Sequence, residues 1–480
     1  MQGRFLFCIN SGMETLSRIF KGILIKSFWF QALLCMVADT SANFFLIVMQ
    51  AQGHFTLAQL ALTGAGKYAI AAFIALIMQY LSQKQSKVFV MAMLVATGLS
   101  ILYLMFVGVT LVGLVMASIV LGTVWAVRGL QISLTWSDVT NMDDRRESKA
   151  ALALVMTLIP VLSSVALFAS GWAADYSAEL FFGLMVAAIA LVMGFIIVFN
   201  PELPAKISFK AKLPLSVKAL VAMGLLQNIS HYALVYFVIP LTIFSYSGSM
   251  KATGTFIGIM VLAGMFASQQ SEKDKAKVKA TLLISLAAII GAWALNDWLR
   301  DNALELSTQI LLGGYMLLFV TQTAFRGLSA ILENTPAIIS AGILGMAIVR
   351  LVWGSADLLY FDTADISWVL IVSMIAFSLH LVCARFWSFG FVSRMSELAP
   401  DHDEKKSYLK LYVTLDFFTG LVGSVAVYVV ASLSEAEHMN QLSGVLLLGS
   451  GVWLLIWYLV YHTITQRALI KESRIQLDNL

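Results

Sequence analysis

What most limits the folds open to this chain is a series of long apolar runs separated by short loops. They fall at roughly 24–50, 57–81, 88–108, 111–136, 150–172, 179–199, 217–244, 253–268, 279–298, 307–325, 337–360, 366–388, 411–432 and 442–464. A helix that crosses a bilayer needs about 17–25 predominantly apolar residues. Hydrocarbon offers no water to a free N–H or C=O, so such runs fold as helices that satisfy their own backbones. Of the 480 residues, 60% are hydrophobic and 12% charged, against roughly 45–50% and 25% in soluble domains. The chain reads as an all-α polytopic membrane protein with about 14 transmembrane helices in the lipid bilayer.

The loop charges test that count. Basic loops lie at 82–87, 138–149, 201–218, 269–279, 326–336 and 389–410, together with both ends of the chain. Between them, the loops at 51–56, 109–110, 173–178, 245–252, 299–306, 361–365 and 433–440 are short and neutral or acidic. Of the 31 Lys and Arg residues, all but Lys67, Arg128, Lys251, Arg300 and Arg350 fall in the basic set or, as Lys26 and Arg385, at the segment ends that adjoin it. Cytoplasmic loops carry this excess, so both termini are expected in the cytoplasm. The net charge of +4 thus reports orientation and not a nucleic-acid partner. Three scattered cysteines (Cys8, Cys35, Cys383) and six histidines show neither disulfide-framework nor metal-ligand spacing, and no cofactor or metal is expected. No cleavable signal peptide is read; Met13 begins a second membrane-protein-like start, and residues 1–12 are given no role.

The sequence also repeats itself. An apolar helix carrying Arg128 leads into the charged loop 138–149 and then the helix 150–172. The same order returns with the helix from Ile366, the loop 393–407 and the helix Leu411–Ser432. Ser137-Asp-Val-Thr140 and Ser396-Glu-Leu-Ala399 hold equivalent places before each loop, and Gln59 and Gly64 are echoed by Gln309 and Gly314. Internal duplication in a membrane chain points to two related halves. The halves are read as 24–200 and 279–465, with a basic linker and two inserted helices at 201–278 and tails at 1–23 and 466–480. A competing echo, Ser268-Gln-Gln-Ser-Glu-Lys273 against Ser82-Gln-Lys-Gln-Ser-Lys87, would move segments seven and eight into the second half and leave thirteen and fourteen as the extra pair.

This six-plus-two-plus-six plan resembles the fourteen-helix branch of the major facilitator superfamily, with degenerate motifs. Arg128-Gly-Leu-Gln131 matches the family's Arg-x-x-Gln-Gly signature in helix four, with Ile132 where glycine is expected. Tyr80 to Lys87 keeps the basic residues of the loop after helix two but lacks its glycine and aspartate. Ile159-Pro-Val-Leu-Ser-Ser164 keeps the proline of the antiporters' helix-five kink and has serines for its glycines. The resemblance implies a major-facilitator-like fold and alternating access to a cavity flanked by helices one, two and four.

Ionisable side chains inside the apolar runs carry the expected chemistry. Placing one at mid-bilayer costs at least about 2.5–3.5 kcal/mol, so each should meet a wet cavity or a partner. Asp39, Lys67 and Arg128 lie inside segments one, two and four. The resemblance brings these helices to the cavity, which makes the three, with Gln131, candidates for substrate binding and proton coupling. A carboxyl sharing a low-dielectric site with a cation can trade its proton when the cation or a substrate moves; a static pair of Asp39 with Lys67 or Arg128 is the other reading. His380, whose side chain titrates near neutral pH, and Asp416 are further coupling candidates. Arg350, with Asp357 seven residues on along the same face, is read as structural, as is the Pro160 kink. Gln227, Asn228 and His231 could line a cavity, but in an inserted helix they would bond to neighbours.

The expected function is therefore secondary active transport of a small-molecule substrate, with protons as the coupling ion, and not an enzymatic activity. One acid against two cations favours an organic anion or zwitterion. There is no Walker A pattern for an ATP-driven engine. The alternatives are a lipid or polysaccharide flippase of another fourteen-helix fold, with halves of seven plus seven, and a membrane-embedded prenyl or glycosyl transferase. The transferase reading rests on Asn296-Asp-Trp-Leu-Arg-Asp301, whose spacing is wrong and whose loop is outward. A non-transporting sensor or scaffold is a further alternative. The loop lengths suit a bacterial inner membrane; import or export is left open, with Pro160 leaning to export.

Overall fold

The computed structural model describes residues 26–52, 55–108, 110–140, 145–203, 215–266, 335–360, 366–398, 402–433 and 439–478, with Leu306, Gln309 and Ile310. Segments nine and ten, and the Asn296–Asp301 motif, otherwise lie outside the described residues.

Helices account for almost all of what is described. They are α1 (Lys26–Gln52), α2 (Leu57–Met78), α3 (Gln83–Val107), α4 (Leu111–Thr140), α5 (Arg145–Tyr176) and α6 (Ala178–Phe199). After the basic linker come α7 (Leu215–Ala233), a π turn over Leu234–Val238, α8 (Ile239–Ser247) and α9 (Met250–Phe266). The last four are α10 (Thr335–Tyr360), α11 (Ile366–Leu398), α12 (His402–Leu433) and α13 (Met439–Asp478). Among the described residues, ten helices are long and apolar enough to span a membrane. Each described segment lies where its apolar run predicts. The loops read as 138–149 and 389–410 are shorter than expected, because α4, α5, α11 and α12 run on past their apolar spans; a helix needs no apolar residues once water can reach it.

Local chemistry sets the ends. Thr56 Oγ1 accepts from the Gln59 amide at 3.2 Å while Gln59 Oε1 accepts from the Thr56 amide at 2.9 Å, starting α2. Ser82 and Gln85 repeat this reciprocal cap at α3, and such boxes satisfy two orphan donors at once. Gly248, at φ 63°, ends α8 in the left-handed region that glycine enters without a Cβ clash. Pro160 is buried within α5, which continues as one helix to Tyr176. Pro240 follows the π turn at the start of α8. Its ring leaves the carbonyl four residues back without a donor, and the wider π turn accommodates the break.

The helices pack in two groups with matching contacts. In the first, α1 meets α4, α5 and α6, α2 meets α4, and α3 meets α4 and α6. In the second, α7 meets α11, α12 and α13, α9 meets α11, and α10 meets α11 and α13. Among their neighbours α7 and α9 take the places that α1 and α2 take in the first group. Phe44 and Phe45 of α1 interlock with Phe181 and Phe182 of α6 at centroid distances of 5.6–6.2 Å. Outward-facing apolar side chains such as Phe73, Leu99, Leu191, Val352 and Leu459 are exposed, as a lipid-facing surface requires. The chain is an integral membrane protein.

The two broadest seams between the groups are α2 on α12 and α5 on α9, and the second closes tightly towards the short-loop end. A Cβ on Gly254 would lie 2.9 Å from the Gly171 Cα, so backbone meets backbone there. Ser164 Oγ donates to the Gly258 carbonyl at 2.8 Å. Asp175, at the end of α5, accepts from the Met250 amide at 3.0 Å and the Lys251 amide at 3.4 Å, while Ser249 Oγ takes the Ala252 amide at 3.1 Å. Of the first three N–H groups of α9, which have no partner inside the helix, two are thereby satisfied across the seam and the third by the residue before the helix. Lys251 Nζ adds a contact 3.8 Å from the Trp172 ring.

Candidate substrate and proton site

A cavity of about 300 Å³ lies between the two groups, on the basic-loop side of those seams. From the first group α4 contributes Trp125, Arg128 and Ser133; from the second come Asn228 and His231 of α7, Trp387 of α11 and Tyr412 and Asp416 of α12. The α7 residues on its wall, Gln227, Asn228, His231 and Val235, recur at helical spacing and so share one face.

Arg128 is the hinge point of the site's chemistry. Its Nη2 lies 3.0 Å from Asp39 Oδ1 of α1, the pair being 17% and 10% exposed, and Arg128 itself lines the cavity. Of the readings open from sequence, the structure makes the Asp39–Arg128 pair. Asn43 Nδ2 donates to the Asp39 carbonyl at 2.7 Å, which ties down the next turn of α1. Lys67 is buried on α2, with its Nζ 3.9 Å from the Trp125 ring centroid; Arg128 Cζ lies 4.7 Å from the same ring. One indole thus takes two cations, each contact contributing about 0.5–2 kcal/mol. Two cations and one carboxylate leave the site with a positive bias. Gln131, one turn along α4, is fully buried, and its amide has no hydrogen-bond partner among the described residues.

Across the cavity the polar groups are differently held. Asp416 Oδ1 accepts from Asn228 Nδ2 at 2.7 Å and from Thr419 Oγ1 at 3.3 Å, and Asn228 Nδ2 also lies 2.6 Å from Tyr412 Oη. This network joins α7 to α12. His380 is buried behind the wall and stacks on His231 with centroids 5.5 Å apart. Arg350, 1% exposed, donates from Nη1 to Ser230 Oγ at 2.7 Å and places Nη2 at 3.5 Å from His231 Nδ1. Asp357 is held by Tyr246 Oη at 2.6 Å. Arg350 and Asp357 therefore tie α10 to α7 and α8 respectively. His231, Asn228 and Gln227, set aside from sequence because an inserted helix would hide them, are cavity residues; Tyr412 and Trp125 carried no signal beyond being aromatic. Among the described residues no cluster of His, Cys, Asp and Glu could hold a metal.

The fold has close counterparts among solved structures. A mutant of the nucleoside transporter NupG superposes with a TM-score of 0.53 over 93% of this chain and 99% of its own, at 11% identity. The POT family transporter PepTSo gives 0.51 at 13% identity, covering 91% of this chain and 98% of its own. A proton dependent oligopeptide (POT) family transporter gives 0.52 at 11% identity over 91% and 99%. The chain shares its fold with these three proteins. No protein-family model matches the sequence, and no curated protein matches it either.

Proposed function

We propose that the protein is a secondary active transporter that moves a small organic anion or zwitterion by alternating access, coupled to protons through Asp39 and Arg128. The observation that carries this reading is that Arg128 touches both Asp39 and the cavity between the groups. When Asp39 takes a proton its charge is lost and Arg128 is freed to meet an anionic group in the cavity; when the anion leaves, Arg128 returns and Asp39 gives up the proton. Proton and anion are therefore taken up together, each favouring the binding of the other. A volume near 300 Å³ is at the small end of ligand sites, about 300–1,000 Å³.

The groups act as the two halves of the transporter, α1–α6 in one and α7–α13 in the other. The matched contacts of α1 with α7 and α2 with α9 favour this over an insertion at 201–278. With the basic loops in the cytoplasm, both termini are cytoplasmic and the cavity faces inward while the outer seams are shut. A bacterial inner membrane suits the loop lengths.

The test is substrate-driven proton movement in proteoliposomes, with pools of organic anions, zwitterions and drugs. A pool that shifts lumenal pH with the wild type and not with Asp39→Asn supports the reading. Equal proton movement in the variant would make the pair structural and refute coupling at Asp39.

A further inference from the structure

Segment seven is the one described span interrupted by a π turn, at Leu234–Val238, and Pro240 follows two residues later. π turns within helices cluster at functional sites. Immediately before this break stands His231, whose imidazole is on the cavity wall. It is reached by Arg350 from α10 at 3.5 Å, and the same guanidinium holds the preceding residue, Ser230, at 2.7 Å. A guanidinium can only donate, so what His231 can offer Arg350 in this contact is the Nδ1 lone pair. Arg350 in effect clamps the end of α7 to α10 just before the chain becomes deformable.

We propose that His231 is a second proton site, open to the cavity, and that its protonation releases α7 from Arg350 so that segment seven bends at the π turn. The inference rests on the transporter reading above. A doubly protonated imidazole has no lone pair for Arg350 and puts a second positive charge beside it, so the clamp changes from an attraction to a repulsion in one step. The other groups facing His231 fit this role. From α11 the His380 ring stacks on it at 5.5 Å. From α12 Asp416, and from α4 Arg128, share the cavity wall, and α13 contributes Trp453, whose indole N–H donates to the Leu226 carbonyl at 2.8 Å. Asp416, or an anionic group in the cavity, would favour the protonated ring, while Arg350 and Arg128 oppose it. An anion arriving with a proton therefore moves the switch, and either alone moves it less.

The test needs no identified substrate. Spin labels at Lys218→Cys on α7 and Ile348→Cys on α10, both exposed, in a full chain with Cys8, Cys35 and Cys383 replaced by alanine, report the clamp in lipid nanodiscs. A second pair, Leu62→Cys on α2 and Leu433→Cys on α12, reports the short-loop seam. Between about pH 7.5 and about 5.5, spanning the range in which histidine titrates, the first pair should redistribute by about 5-fold or more, the lower end of measured site–site couplings. His231→Gln, which retains an acceptor and cannot charge, should hold the high-pH distribution at both values, while Asp39→Asn should leave the shift in place. Arg350→Gln gives an independent check, because without the clamp the low-pH distribution should appear at both pH values. The proposal is overturned if His231→Gln shifts as the wild type does, if Asp39→Asn abolishes the shift, or if Arg350→Gln keeps the high-pH distribution at about pH 7.5. A wild type whose second pair moves with pH while the first does not would overturn it and leave the transporter reading intact. Stillness in both pairs also overturns it, and the proteoliposome assay then decides the reading it rests on.

Discussion

The contact between Asp175 and the start of α9 sets how firmly the short-loop end is shut, and removing it should open that end by a predictable amount. The carboxylate accepts from two backbone amides, Met250 and Lys251, and from Ser249 Oγ at 3.4 Å. A side-chain acceptor at a helix start contributes about 0.5–2 kcal/mol, and a negative charge there about 0.3–1 kcal/mol when exposed. Asp175 is exposed and Ser249 already caps the third amide, so a value near the middle, about 1 kcal/mol, is appropriate. These bonds exist only when α5 and α9 are together, so the loss falls on the closed state. Asp175→Ala should then raise the open population about 5-fold, and Asp175→Asn, which keeps an acceptor and loses the charge, about 2-fold. The open population can be read at Ala252, a small residue 1% exposed in the closed seam. With Ala252→Cys in proteoliposomes, the rate of labelling by a membrane-impermeant maleimide, measured by mass spectrometry at that position, scales with the open fraction. High salt should shrink the difference between aspartate and asparagine, since exposed charges are screened beyond about 10 Å at 0.1 M. A labelling rate that Asp175→Ala leaves within about 1.5-fold of the parent, well below the capping range, would refute the view that this cap closes the seam.

Three further outcomes follow from other contacts. Gly420→Ala should loosen the α2–α12 seam, because its Cβ would meet the Tyr68 ring; overpacking of this kind costs about 1–3 kcal/mol, visible as faster labelling at Ala252→Cys. Tyr246→Phe removes the hydroxyl that holds Asp357 at 2.6 Å, and with hydrogen bonds to charged groups contributing about 1.5–3 kcal/mol the thermal unfolding midpoint in detergent should fall. A double-mutant cycle on Asp39→Ala and Arg128→Ala should return a coupling of about 0.5–3 kcal/mol in stability; additive single effects would mean that the 3.0 Å pair contributes nothing.

Much of this was legible in the sequence where a single physical rule dominates. Lipid leaves backbone groups no partner but each other, so every described span lies where its apolar run lies. The penalty for a charge among such residues singled out Asp39, Lys67 and Arg128, and the structure brings Lys67 and Arg128 to one indole and Asp39 to Arg128. The repeat was harder to place, and the reason is local. Gln59, used as a mark of duplication, closes the capping box of α2 with Thr56, and the Ser82–Gln85 pair in the competing echo closes that of α3. Both are helix-start signatures that any Ser/Thr-x-x-Gln can produce, so they report where helices begin and not which helices are related. The seam contacts were invisible for another reason: Asp175 reads as an ordinary acid in a short loop, and its partners are backbone amides 75 and 76 residues later.

The two charged clusters differ from static ion pairs in one respect that bears on mechanism. A pair whose task is to fasten helices is best buried away from water, where nothing competes for either member. Here each cluster shows one member to the cavity, Arg128 on one side and His231 on the other, and keeps the rest behind the wall, as Asp39 and Arg350. A ligand entering between them can compete for the exposed member without touching the buried one. It then alters the contacts of α1 with α4 and of α7 with α10, helices belonging to different halves. The seams it must work against are built from glycines, serines and one cap, contacts of about 1 kcal/mol each. A population shift across such a seam is therefore within reach of the differential affinity of one small ion, which alternating access requires and a permanently locked bundle would not.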